Sequence, residues 1–208
     1  TLVKSSAASD VYKRQKERSY QEKRICLTPD AVSALINNGN RVLIEKDAGN
    51  DAAFHDKEYI EAGAEITADT SKVFGCPIVL KVEPPTLEEI KMMNSNSILI
   101  SALQLKIQKR SYFEALTNKK ITALGFEFIK DNDGTFPAVR QLSEIAGNAS
   151  ILIASEIMSI TNEGNGLMLG NISGIPPTEI VIIGAGIVGQ SAAKSATGLG
   201  ANVKVFDL

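Results

Sequence analysis

Cysteine is scarce in this sequence. Cys26 and Cys76 are the two present, in unrelated contexts and without metal-ligand spacing, so neither a disulfide framework nor a metal site is expected and a reducing, cytoplasmic compartment is. Long hydrophobic runs are also missing: "PIVLKV", "SILISALQL" and "EIVIIGAGIV" all fall short of the roughly 18 apolar residues that a membrane-spanning helix needs. A basic excess is missing as well. The formal net charge of -2 supplies no positive field, which removes nucleic acid as an expected partner. What is left is ordinary globular material, 44% hydrophobic and 22% charged, enough for one large core or two small ones.

Organisation along the chain is uneven. Residues 1–15, "TLVKSSAASDVYKRQ", are small, polar and basic with no periodicity, and read as an unstructured leader, foreign to the remainder. Order begins with "LTPDAVSALINNGNRVLIE", where Thr28 can cap a helix, Pro29 suits its first position, and Val32, Leu35 and Ile36 form a stripe that "NNGN" ends. Helical periods then alternate with short β-rich runs through "ITALGFEF", the pattern of βαβ units on a parallel sheet. A turn-rich "KDNDGTF" precedes a long helical run from Pro137 to about Ile160, which places a domain boundary near residue 137. The predicted division is thus a leader at 1–15, a substrate domain at 16–137, and a linking helix with the start of a second domain at 138–208.

The second domain opens on a strand, "TEIVIIG", followed by G-x-G-x-x-G at Gly184, Gly186 and Gly189 and by the helical run "QSAAKSATGLG". Glycine at the first position allows a tight turn, at the second lets backbone approach a pyrophosphate, and at the third lets helix and sheet pack closely. Ile187 and Val188 complete the turn at a helix N-terminus, whose N–H groups favour phosphate. Asp207 ends the next strand, eighteen residues beyond Gly189 and near the ~20-residue offset at which an acid holds the ribose hydroxyls. A carboxylate there selects NAD, because it would repel the 2′-phosphate of NADP. The expected fold class is α/β: a flavodoxin-like or Rossmann-like parallel-sheet domain, then the start of a truncated Rossmann domain that binds NAD.

From Lys16 to Leu208 the chain resembles the family of alanine dehydrogenases and nicotinamide nucleotide transhydrogenase α subunits. The resemblance is carried by "KERSYQEKRICLTPDAV", "NNGNRVLIEKDAG", "VLKVEPPTLEEI", "QLSEIAGN" and "PPTEIVIIGAGIVGQSAAKSATGLGANVKVFD". It implies that Arg24 holds a substrate carboxylate, for which a guanidinium is well shaped, and that Ser143 lies near the nucleotide. It further implies a small amino or keto acid as substrate and a homo-oligomeric complete protein.

Two departures stand out. Glu83 occupies the place of a family lysine, leaving Lys81 as the only ammonium on that strand and the expected substrate-binding partner of Arg24, with its side chain expected on the same face as that of Glu83. Gln104 occupies the place of the catalytic histidine, and an amide can hydrogen-bond but cannot exchange a proton near neutral pH. His55, the one histidine, lies in a polar loop and reads as exposed rather than as a replacement. The expected function is that of an NAD-dependent L-alanine dehydrogenase, with the NAD(H)-binding α subunit of a transhydrogenase or a catalytically silent relative as alternatives.

Overall fold

A computed structural model describes residues 11–14 and 22–208, which divide into two compact units, residues 1–128 and 129–208. The boundary falls before the expected residue 137. Asp131 accepts from the backbone and hydroxyl of Thr135, which closes the turn-rich stretch on itself within the second unit.

The first unit alternates strands and helices, β1 (Val11–Arg14), α1 (Pro29–Asn37), β2 (Arg41–Glu45), α2 (Asp56–Glu61), β3 (Glu65–Thr67), α3 (Thr70–Phe74), β4 (Ile78–Leu80), α4 (Leu87–Met92), β5 (Ile98–Ser101), α5 (Arg110–Asn118) and β6 (Thr122–Gly125). All pairings are parallel and the sheet order is β3-β2-β1-β4-β5-β6. Of the two arrangements left open by the sequence, this is the Rossmann order. The order also corrects the reading of the N-terminus. Val11–Arg14 is a central strand hydrogen-bonded to β2 on one side and β4 on the other, so pairing on both edges imposes order where the sequence shows no period. The rest of the expected leader, 1–10 and 15, lies outside the described residues.

Local signals explain the helices. Thr28 accepts from Ala31 N–H at 3.3 Å to cap α1 with Pro29 in the first turn, and Gly39 (φ 85°) lets the chain reverse into β2. Thr86 and Glu89 form a capping box at the start of α4, Glu89 Oε2 accepting from Thr86 N–H at 2.7 Å. Strand β2 is buried from Val42 to Glu45, as a strand covered on both faces must be. One core gathers Val32, Val42, Ile44 and Tyr59, and another gathers Phe74, Val79, Ile90, Leu99 and Tyr112. Each fully buried aliphatic side chain contributes about 1.5–3 kcal/mol.

The second unit holds α6 (Pro137–Met158), β7 (Glu179–Ile183), α7 (Ile187–Gly198) and β8 (Asn202–Phe206), with β7 and β8 parallel from Glu179↔Asn202 to Ile183↔Phe206. Ile151, Leu169, Ala192 and Ala196 form its core. Helices α6 and α7 approach closely at Gly147, where a Cβ would lie 2.3 Å from the Val188 carbonyl and 2.7 Å from Ser191 Cβ. Among the described residues no helix is long and apolar enough to cross a membrane.

Replacing Gly147 by alanine should therefore push α7 away from α6 and destabilise the second unit by about 1–3 kcal/mol, the usual cost of overpacking. Urea unfolding followed by circular dichroism should show the loss, and an unchanged midpoint would contradict the close approach.

Candidate functional site

Parallel pairing sends the C-terminal ends of all six strands of the first sheet to one edge. The order reverses at β1, whose neighbours are β2 and β4, and the crevice beyond such a switch point is where open α/β sheets bind ligands. The segment after β1 carries Glu22 and Arg24, and the segment after β4 carries Lys81 and Glu83. Gln104 follows β5 and Glu127 follows β6.

These side chains converge. Arg24 meets Glu22 in a two-pronged pair, Nε to Oε1 at 2.9 Å and Nη2 to Oε2 at 2.5 Å. Its Nη2 also lies 3.5 Å from Glu83 Oε1. Gln104 Nε2 donates to Glu83 Oε2 at 3.0 Å. Gln104 itself has a left-handed backbone (φ 48°), held by Glu127 Oε1, which accepts from the N–H groups of Leu103 (2.7 Å) and Gln104 (2.9 Å).

The two carboxyls beside Arg24 are pushed apart. Hydrogen bonding to Arg24 holds Glu22 below the usual carboxylate range. Burial, followed by the hydrogen bond to and charge of Glu22, raises Glu83, against smaller opposing effects of Gln104 and Arg24. The consequences for stability have opposite signs: the contribution of Glu22 is lost as pH falls through its depressed range, and that of Glu83 is lost as pH rises through its elevated range.

Lys81 takes a different path. Its side chain is 2% exposed, and among the described residues its ion-pair partner is Glu89, at 3.9 Å, not Glu83. The chain bends just after Lys81, so the strand does not continue from Lys81 to Glu83. His55 is exposed beside α2, its Nδ1 3.3 Å from Asn50 Oδ1. Neither Cys26 nor Cys76 is in a disulfide, and among the described residues no cluster could hold a metal. Glu22 and Glu127 were not singled out by sequence. Glu22 precedes Arg24 by two positions and Glu127 lies more than twenty residues from Gln104, and neither offset belongs to a recognisable motif.

In the second unit the glycine turn lies between β7 and α7. Gly184 has φ 105°, a Cβ on Gly189 would lie 1.8 Å from the Gly184 carbonyl, and neither Gly184 nor Gly186 has an atom within 4 Å of where a Cβ would sit. Gly189 thus lets helix and turn close, while Gly184 and Gly186 leave room for a ligand to reach backbone. Ser143 on α6 lines the same cavity, of about 640 Å³, as Gly184, Gly186, Ile187, Val188 and Gly189. Asp207 directly follows β8, with Oδ2 accepting from Ala185 N–H at 2.9 Å, which fixes the carboxylate at the rim of the turn. Turn, helix terminus and acid fit a dinucleotide.

The parallel sheets and the glycine turn together define an α/β protein with a nucleotide-binding fold. The chain belongs to the alanine dehydrogenase/PNT family, whose N-terminal domain matches residues 14–146 and whose C-terminal domain matches residues 150–208. It is 38% identical over 193 residues to an alanine dehydrogenase of Staphylococcus haemolyticus, covering 93% of this chain and 52% of that protein. An alanine dehydrogenase of Methanococcus maripaludis is also 38% identical, over 194 residues, with the same shares covered. The structure superposes on an L-alanine dehydrogenase with a TM-score of 0.89 and 34% identity, covering 95% of this chain and 54% of that one. A transhydrogenase from Sinorhizobium meliloti shares the fold, with a TM-score of 0.82, 22% identity, and 94% and 58% covered. The chain spans about half the length of the relatives it matches.

Glu127 is the support that can be tested without any ligand. Glu127→Ala strips the acceptor from two backbone N–H groups and should cost about 2–4 kcal/mol of stability in the first unit, whereas Glu127→Gln keeps an acceptor and should cost less. Equal urea midpoints for the two variants would show that the carboxylate does not hold the Gln104 turn.

Proposed function

We propose that the complete protein is an NAD-dependent L-alanine dehydrogenase, converting alanine, NAD and water to pyruvate, ammonium and NADH. The observation that carries this reading is the two-pronged guanidinium–carboxylate pair of Arg24 at the switch point. Glu22 makes the contact that a substrate carboxylate would make, so an amino acid needs only to exchange for it.

NAD supplies the acceptor for the hydrogen and electron pair removed from the substrate carbon. The residues proposed to hold it are Ser143, Gly184, Gly186, Ile187, Val188, Gly189 and Asp207: the turn and the start of α7 take the pyrophosphate, and Asp207 takes the ribose hydroxyls. On the substrate side, Arg24 orients the carboxylate and Gln104 lies at the reacting end. Lys81, buried beside Glu89, is the second residue proposed to bind the substrate. The same reading places the complete protein in the cytoplasm as a homo-oligomer.

Purified complete protein should form NADH in an alanine-dependent manner and consume it with pyruvate and ammonium. Nucleotide binding without amino-acid-dependent NADH formation would overturn the dehydrogenase assignment. Asp207→Ala should weaken NAD binding about tenfold or more, as expected for lost hydrogen bonds to a charged group, and should narrow the gap between NAD and NADP. Calorimetric titration of both nucleotides measures this, and equal affinities in the unaltered protein would remove Asp207 from the assignment.

A further inference from the structure

We propose that Glu83 is the residue that exchanges protons with the substrate at this site, with Gln104 as its positioning partner. The proposal rests on the dehydrogenase reading above and names a group for a task that Gln104 cannot perform.

Geometry singles out Glu83. It lies at the switch point, its side chain is 21% exposed where that of Arg24 is 50% exposed, and both of its oxygens are placed: Oε1 is 3.5 Å from Arg24 and Oε2 accepts from Gln104. Gln104 is fixed at both ends, its backbone N–H held by Glu127 and its amide engaged with Glu83. An amide in that position sets the direction of the carboxyl without taking its proton. Among the described residues, the charged and polar groups facing Glu83 are Glu22 and Arg24 from the loop before α1 and Gln104 from the loop after β5.

The electrostatics agree with the geometry. Burial and Glu22 favour the protonated form while Gln104 and Arg24 favour the charged one, and the balance lies above the usual carboxylate range. A protonated Glu83 also removes the repulsion that a second carboxylate beside Arg24 would direct at an amino acid's own carboxylate.

The step that needs such a group is hydrolysis of the substrate iminium. As water adds to the iminium carbon, Glu83 in its carboxylate form takes a proton from the water, giving a neutral carbinolamine and a neutral Glu83. Glu83 passes that proton to the nitrogen and then receives the hydroxyl proton as the C–N bond breaks. The electron pair of that bond leaves on ammonia, the carbonyl forms, and ammonia takes the last proton to leave as ammonium with Glu83 again ionised.

The test uses the complete protein. Glu83→Gln should lower kcat by ~10²–10⁴-fold, the usual contribution of a positioned acid–base group, with NAD affinity and urea midpoint retained. Glu83→Asp, which keeps an exchangeable carboxyl, should recover part of that rate. Gln104→Leu removes a hydrogen bond that favours the ionised form, so the acid limb of the kcat/KM profile should move to higher pH. Carbon-13 NMR of labelled glutamate carboxyls, with the Glu83 resonance recognised by its absence from Glu83→Gln, should show the same upward displacement in Gln104→Leu without nucleotide present. An active parent whose Glu83→Gln form loses less than about tenfold in kcat would overturn the role of Glu83 alone. So would a Gln104→Leu protein in which the Glu83 resonance moves and the pH profile does not. A parent that binds NAD but oxidises no amino acid would overturn the dehydrogenase reading, and the role of Glu83 with it.

Discussion

Everything functional in the first unit depends on strands that all run the same way. Because every ladder in that sheet is parallel, the residues that come after β1, β4, β5 and β6 are delivered to one edge, although they lie as far apart in sequence as Glu22 and Glu127. An antiparallel pairing at any of these positions would send its following loop to the opposite edge. The reversal of strand order beside β1 adds a crevice to that edge, and the crevice is where Arg24, Glu83 and Gln104 meet.

Charge in that crevice is handled by sharing rather than by one-to-one pairing. Arg24 has two carboxyls within reach, and the one it does not grip with both prongs is driven towards its neutral form. Lys81 and Glu89 form a pair almost closed to solvent, and Glu89 also caps α4 through Thr86. One carboxylate thereby stabilises a helix start and balances a buried ammonium. The negative side of this arrangement is felt by Tyr112, whose buried hydroxyl is pushed up to about 12 by burial first and then by the charges of Glu127 and Glu89.

Much of the fold could be read from the sequence because it rests on short-range signals. Thr28 with Pro29, the alternation of helical and β-rich runs, and the strand–glycine–helix succession at Gly184 each carry their meaning within a few residues. The central strand at Val11–Arg14 could not be read, since it is defined by partners at Arg41 and Ile78, dozens of positions away. The candidate site divides in the same way. Arg24, Glu83 and Gln104 were singled out through short matching stretches, and the structure adds that Glu83 meets both of the others. Glu22 and Glu127 were not, because a carboxylate that braces another residue has no spacing of its own. Lys81 was placed on the face of Glu83 by strand alternation, and in the structure the chain bends between them, with Lys81 beside Glu89 and Glu83 beside Arg24 and Gln104.

The left-handed backbone at Gln104 bears on how that position can vary. With φ at 48°, a residue there must tolerate a conformation in which Cβ crowds the following carbonyl, at a cost of roughly 1–2 kcal/mol for most side chains and more for β-branched ones. A saturation library at position 104 would therefore sort its members by two unrelated criteria, fitness for the turn and fitness for the chemistry. Glycine and asparagine would score well for the first reason alone, and valine or isoleucine poorly for the same reason. Evolutionary drift at this site is filtered similarly: the accessible neighbours of glutamine are set first by backbone shape, and only within that narrow set can selection act on what the side chain does.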